Sequence, residues 1–426
     1  MGLGLILAAP ASGSGKTTVT LALLRSLSRK GVRVRGAKSG PDYIDPGFHE
    51  AACGLPCVNL DAWAMPPPRL RHLSAGDGLL IVEGAMGLFD GAPPDNRGAV
   101  ADLARALSLP VFLVVDASRM SGSIAALVRG FASHDPEISV AGVILNQVGS
   151  QRHETMLRDA LAPLGLPVLG CLHRDPGLAL PSRHLGLVQA GEREDLDAFL
   201  DLAADRLEDT VDIDALQALA APLPPASKHP RIPPPGQIIA LADDAAFGFS
   251  YAHQLADWRA QGAEVRPFSP LNNEAVPEAD FVFLPGGYPE LHAAHLSQCL
   301  TFMKSLRSAA ENTQVYGECG GYMVLGERLT DAEGVSHPMA GLLRLETSFA
   351  QRKRHLGYRH LSASGGPMAG RWMGHEFHYA STLRAEGTPL FTAQDATGTS
   401  LPAMGLISGR VQGSFAHVID PASAGI

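Results

Sequence analysis

Along most of the chain, short runs of apolar residues alternate with stretches whose apolar positions recur at helical spacing. In the first half, runs at 3–9, 32–37, 79–82, 110–115, 140–145 and 167–170 predict buried strands, and 16–30, 100–107, 124–131 and 154–162 predict helices between them. Strand then helix, repeated, is the signature of an α/β domain with a largely parallel sheet. Its crossovers are right-handed, and function gathers at the carboxyl ends of its strands. The pattern breaks at 222–237, PLPPASKHPRIPPPGQ, where the proline density can continue neither a helix nor a central strand. Runs at 238–241, 281–284 and 314–317 then predict strands of a second α/β unit. The expected organisation is a domain at 1–221, a linker at 222–237 and a domain at 238–426. The 426 residues are too many for one ordinary core and suit two domains of roughly 200 residues each.

Composition narrows the class. An apolar fraction of 46% with 18% charged residues fits a soluble globular protein. The net charge of −9 argues against a general nucleic-acid binder, which needs excess Lys and Arg to neutralise phosphates. Five scattered cysteines (Cys53, Cys57, Cys171, Cys299, Cys319) form no disulfide framework and fit a reducing compartment. The apolar run at 3–10 is too short to span a bilayer and leads into a glycine-rich turn, so it reads as a strand rather than a signal sequence. No membrane partner is expected, and the expected location is the cytoplasm.

Two segments carry chemistry. Residues 8–18 read AAPASGSGKTT, a strand running into a Gly/Ser turn and then a helix. Such a turn, here Ser12, Gly13, Ser14 and Gly15, lets backbone N–H groups converge on phosphate oxygens, and the helix beginning Lys16-Thr17-Thr18 adds its positive end. Lys16 would neutralise the β- and γ-phosphates of ATP, and the Thr17 hydroxyl would ligate Mg²⁺. Pro10 occupies the position where the standard phosphate loop has its first glycine. Further oxygen ligands for Mg²⁺ are expected at strand ends: Glu83 in IVEG, and Asp42 and Asp45 in KSGPDYIDP, with Asp90 and Asp116 as weaker candidates. Asp42 and Asp45 beside prolines are also turn formers, which is compatible with ligation. Asn146, closing the strand at 140–145, would read the adenine edge or simply cap that strand.

The second segment, Val315-Tyr316-Gly317-Glu318-Cys319-Gly320-Gly321-Tyr322-Met323, is the sulfur counterpart of a nucleophile elbow. Small flanking residues permit a strained turn, the helix start is expected to lower the thiol pKa, and the Gly320 N–H would serve an oxyanion. Upstream, Leu284-Pro285-Gly286-Gly287-Tyr288 would bring a second oxyanion donor, the N–H of Gly287. His417, one of sixteen histidines, follows at the separation expected of a base on a late strand.

With these residues in place, the chain resembles the cobyrinic acid / hydrogenobyrinic acid a,c-diamide synthases over essentially its whole length. ASGSGKTT, KSGPDYIDPGFH and EGAMGLFDG are similar to a dethiobiotin-synthetase-type P-loop ATP domain. LPGGYPE, YGECGGYMVLG, GHEFHY and a late GSFAH are similar to a class I glutamine amidotransferase of flavodoxin-like fold. The resemblance implies a cobalamin-pathway ligase that uses L-glutamine, MgATP and a corrin-ring polycarboxylate. Cys319 would attack the glutamine carboxamide with His417 as proton shuttle. Lys38 would support the transferred phosphoryl group, and Asp42, Tyr43 and Asp45 would line the phosphate and carboxylate site. Related ATP domains often pair as homodimers. Class I amidotransferases usually carry an acid two positions after the histidine; here that position is Ile419, and Asp420 is the nearest carboxylate in sequence. Released ammonia needs a shielded path between the two sites, which the resemblance implies and the sequence does not display.

Other readings stay open. Nickel-sirohydrochlorin a,c-diamide synthase and cobyric acid synthase share this architecture, and cobyrinic and hydrogenobyrinic acid are not separated beyond a slight lean to the cobalt-free ring. A regulatory or partitioning P-loop ATPase is the reading from another class, as is a dead amidotransferase used as a scaffold; an intact Cys319 and His417 speak against both. The basic run Arg352-Lys353-Arg354-His355 with Arg359-His360 reads equally as a substrate pocket or a solvated loop. His375 and His378 have metal-like spacing but no third ligand in sequence, and Cys53 and Cys57 read as structural.

Overall fold

The run LGLILA is buried on both faces from Gly4 onward, as the middle strand of a parallel sheet must be. The computed structural model describes residues 2–179, 182–183 and 186–423. Contacts divide the chain into two compact units, Met1–His229 and Pro230–Ile426, with the division inside the proline-rich segment.

In the first unit, strands β1 (Leu3–Ala8), β2 (Val34–Ser39), β3 (Val58–Leu60), β4 (Leu79–Glu83), β5 (Val111–Asp116), β6 (Val140–Val148) and β7 (Val168–His173) form a parallel sheet in the order β3-β2-β4-β1-β5-β6-β7. Ala221–Pro222 adds an antiparallel pairing on Leu3 and Gly4. Because β2, β4 and β1 are neighbours, the segments after Ser39, Glu83 and Ala8 open on one edge of the sheet. Helix α1 (Lys16–Arg29) leaves the phosphate-loop segment, with Gly15 before it in the left-handed region at φ 88°.

One helix was not anticipated in KSGPDYIDPGFH. Helix α2 (Asp45–Cys53) begins there, with Pro46 in its first turn and the Asp42 carboxylate accepting the N–H groups of Ile44 (2.9 Å) and Asp45 (2.8 Å).

The second unit contains β8 (Ile238–Ala242), β9 (Glu264–Phe268), β10 (Phe281–Leu284), β11 (Gln314–Glu318), β12 (His355–Ala363), β13 (Gly370–His378), β14 (Phe391–Asp395), β15 (Ser400–Met404), β16 (Leu406–Ser408), β17 (Val411–Ser414) and β18 (His417–Pro421). Its parallel strands run β9-β8-β10-β11-β17, with β16 antiparallel on the edge. The rest departs from the expected plain α/β unit. An antiparallel sheet, β15-β14-β12-β13-β18, packs on the parallel one through Ile239, Phe281, Phe283, Tyr316, Leu361, Phe391 and Val418. A smaller sheet joins Arg328–Thr330, Ser336–Pro338, Arg344–Ser348 and Ser381–Glu386. All of GHEFHY but its final Tyr379 therefore lies on a long antiparallel strand, whose run of consecutive buried residues hides the alternation that would have marked it.

Candidate active sites

At the nucleotide edge of the first unit, the carboxylate of Glu83 is the hub. Its Oε1 accepts the Thr17 hydroxyl at 2.6 Å and the Lys38 ammonium at 2.6 Å, and Lys38 also meets Asp45 Oδ2 at 2.5 Å. Its Oε2 lies 2.7 Å from His49 Nε2. Thr17, Lys38, Asp45 and Glu83, which come from the starts of α1 and α2 and the ends of β2 and β4, thus converge on one point. Burial opposes the charge on Lys38, yet Asp45 and Glu83 hold it protonated. Burial likewise opposes Glu83, but Lys38 and His49 keep it well below the usual carboxylate range. Asp45 is pushed up by burial and by Asp42 beside it, against the pull of Lys38.

Lys16 lies along the loop, with Nζ 2.6 Å from the Met86 carbonyl and 3.4 Å from that of Ala11. Burial, then repulsion from Lys38, brings it down to about 8. The Ser14 hydroxyl donates to Ala11 O at 2.9 Å. Asn146, considered for the adenine edge, braces the loop: its Nδ2 donates to Ser14 O at 2.9 Å. A methyl group at Gly15 would stand 2.0 Å from that nitrogen. Tyr43 is half-buried. Asp90 accepts the Gly87 N–H and Asp116 that of Ser118, which are turn-forming roles.

In the second unit, Cys319 sits between β11 and α3 (Gly320–Leu325) at φ 46°, ψ −101°. A non-glycine residue there is strained, as a nucleophile elbow is. Its N–H donates to the Ser414 carbonyl at the end of β17, at 2.8 Å. Phe415 and Ala416 then carry the chain to His417, which opens β18. A methyl at Gly286 would stand 2.3 Å from His417 Cε1, 3.0 Å from its Nε2 and 3.3 Å from Cys319 Cβ, so bare backbone here lets thiol and imidazole approach. A methyl at Gly320 would lie 3.0 Å from Gly287 N, which puts the two expected oxyanion donors side by side.

The electrostatics of this site differ from expectation. The Cys319 thiol, 2% exposed, is held above its usual range, by burial first and Glu290 second, against the favourable Gly320 N–H. Desolvation outweighs the helix start, which is only six residues long. Burial also brings His417 down to about 3 and raises Glu318 to about 8. The resting pair is neutral thiol and neutral imidazole.

Several residues near these sites were not singled out in sequence. His49 and Glu318 stood inside recognised motifs, but only the fold shows what they touch. Glu318 Oε2 is 3.6 Å from His417 Nδ1, whereas Asp420, the nearer carboxylate in sequence, pairs opposite Met373. His355, Glu376 and His378 bring ligand atoms within 4.8 Å of one another, a grouping that takes in His378 but not His375, the partner its sequence spacing suggested. Glu376 is already taken by Arg359 at 2.8 Å and His378 at 2.9 Å, and they hold it down to about 2 although burial opposes this. Arg359 thus leaves the basic run, while Arg352, Lys353 and Arg354 are exposed. Cys57 Sγ is 3.3 Å from His49 Nδ1. Among the described residues, no helix is long and apolar enough to cross a membrane.

Comparison with known proteins covers both units. Residues 5–188 match the family model described as the CobQ/CobB/MinD/ParA nucleotide binding domain. Residues 238–423 match the CobB/CobQ-like glutamine amidotransferase domain. A protein of Brucella anthropi named hydrogenobyrinate a,c-diamide synthase is 56% identical, over 98% of this chain and 98% of its own. One of Rhizobium meliloti with the same name is 55% identical, over 98% of this chain and 99% of its own.

Proposed function

Because the chain belongs to the hydrogenobyrinate a,c-diamide synthase family, we propose that it amidates the a and c side-chain carboxylates of hydrogenobyrinic acid in cobalamin biosynthesis, with ATP and glutamine. The observation that carries this reading is that one chain holds both a strained Cys319 beside His417 and a phosphate loop whose Thr17 meets Glu83.

In the second unit, His417 Nε2 takes the Cys319 proton as sulfur attacks the glutamine carboxamide. The N–H groups of Gly287 and Gly320 steady the oxyanion, and the proton passes to the departing nitrogen, leaving a thioester and ammonia. Water then releases glutamate. In the first unit, ATP phosphorylates a ring carboxylate and leaves as ADP, turning a poor electrophile into an acyl phosphate; ammonia attacks its carbonyl, and inorganic phosphate and a proton depart as the carboxamide forms. Ser12, Gly13, Ser14, Gly15, Lys16 and Thr18 cradle the phosphates, and Lys38 supports the group in flight, beside Asp42 and Tyr43. Thr17, Asp45 and Glu83 form an all-oxygen donor set that suits Mg²⁺. When bound, Mg²⁺ would neutralise phosphate charge. The expected setting is the cytoplasm, and a homodimer is the assembly to test by sedimentation.

The test is incubation with glutamine, MgATP and either hydrogenobyrinic or cobyrinic acid, followed by product mass. Two amidations, lost with glutamine in Cys319→Ala and restored by ammonia, are expected. ATP hydrolysis with neither ring amidated would overturn the assignment and favour the nickel-tetrapyrrole or switch-ATPase readings.

A further inference from the structure

The residue two places after His417 is Ile419, buried and apolar, so strand β18 cannot supply the imidazole with an acid in the usual way. A histidine that must accept a proton on Nε2 needs its Nδ1 protonated and its ring held in that orientation. The Cε1–Nε2 edge of His417 faces Gly286, whose bare Cα also borders Cys319 Cβ. Its Nδ1 faces Glu318 Oε2 at 3.6 Å.

We propose that Glu318, the residue immediately before the nucleophile, is the positioning carboxylate of the glutaminase site and fixes the ring and tautomer of His417. Its own orientation is secured on the far oxygen. Oε1 accepts the Tyr316 hydroxyl at 3.1 Å and the Val418 N–H at 3.0 Å, which leaves Oε2 for the imidazole. One donor comes from the nucleophile strand and the other from the residue after His417, so the carboxylate ties β11 to β18 at the catalytic pair. Glu318 is 3% exposed, and a carboxyl in such a place is expensive unless it is engaged. When His417 accepts the thiol proton, the imidazolium formed bears Nδ1–H toward Oε2 and favours the ionised carboxylate that burial alone opposes, so the two charges form together; no atom of Glu318 is consumed.

This inference rests on the proposed roles of Cys319 and His417, so the experiment separates the two. Glu318→Gln keeps the shape and the Oε1 acceptor but presents an amide N–H to Nδ1, favouring the wrong tautomer. Its glutamine-dependent kcat should fall by roughly 10²- to 10³-fold with KM for glutamine within about twofold. Amidation from added ammonia, which bypasses Cys319, should be unchanged, and Glu318→Asp should recover at least about tenfold over Gln. Wild-type glutaminase turnover in Glu318→Gln, with Cys319→Ala inactive, overturns the inference alone. Glutaminase turnover surviving in Cys319→Ala overturns the dyad reading and this inference with it. If Glu318→Gln also loses ammonia-dependent amidation, Tyr316→Phe decides. A roughly three- to tenfold loss confined to glutamine-dependent kcat supports the proposal, and an unchanged kcat overturns it.

Discussion

His49 Nε2 stands 2.7 Å from Glu83 Oε2, and the ring's other nitrogen meets the Cys57 thiol at 3.3 Å. The ring is fully buried and sits where a methyl group at Gly36 would come within 2.8 Å of Nδ1. A glycine in β2 thus makes room for the histidine that orients the expected Mg²⁺ ligand.

His49→Ala should therefore weaken Mg²⁺ dependence before it weakens anything else. Residues that orient a metal ligand typically govern about 10- to 100-fold in affinity. The KM for Mg²⁺ in ammonia-driven amidation should rise within that range, and an unchanged KM would remove His49 from the site.

Lys38 bridges two buried carboxylates. Lys38→Met takes from Asp45 and Glu83 the cation they share, and breaking a buried pair in this way costs about 3–5 kcal/mol. A clear drop in urea midpoint should accompany loss of amidation, while glutaminase activity in the other unit persists.

Gly15→Ala combines two faults: a side chain at φ 88° and a 2.0 Å clash with Asn146 Nδ2. Nucleotide affinity, read by titration with a fluorescent ATP analogue, should fall at least about tenfold as the loop loses the geometry that aims its N–H groups.

The pH behaviour of Cys319 follows from burial. Its thiol lies above the usual range, so the thiolate fraction near neutrality is below that of free cysteine, and it grows as pH rises. Iodoacetamide should label Cys319 more slowly than free cysteine at pH 7–8, about the usual assay range, with the rate still climbing where free cysteine has levelled off. His417, brought down to about 3, stays neutral through that range, so no acid-side loss should trace to its protonation in the free enzyme.

Much of the first unit could be read from the chain because its signals are local. Lys16 and Thr17 follow a buried run directly, and Glu83 ends another. The alternation of strand and helix then brings those strand ends to one edge without further information. Cys319 was visible for the same reason. Glu318 and His49 were in plain view, but their roles depend on residues about a hundred and about thirty-four positions away, brought close only by sheet register. The antiparallel sheets of the second unit were missed because β13 is buried along most of its length and lacks the period-two signal. The thiol pKa was misjudged because a helix start is legible in sequence and the depth of burial above it is not.

The backbone of Cys319 has one more implication. At φ 46°, ψ −101° a glycine would sit without backbone strain, so Cys319→Gly should abolish glutamine use at little cost in stability, the relieved strain offsetting the lost buried thiol and the freer unfolded chain. Stability alone therefore does little to hold the nucleophile in place; glutamine use does. In a lineage supplied with ammonia, that makes this codon the first place to look for decay of the second unit.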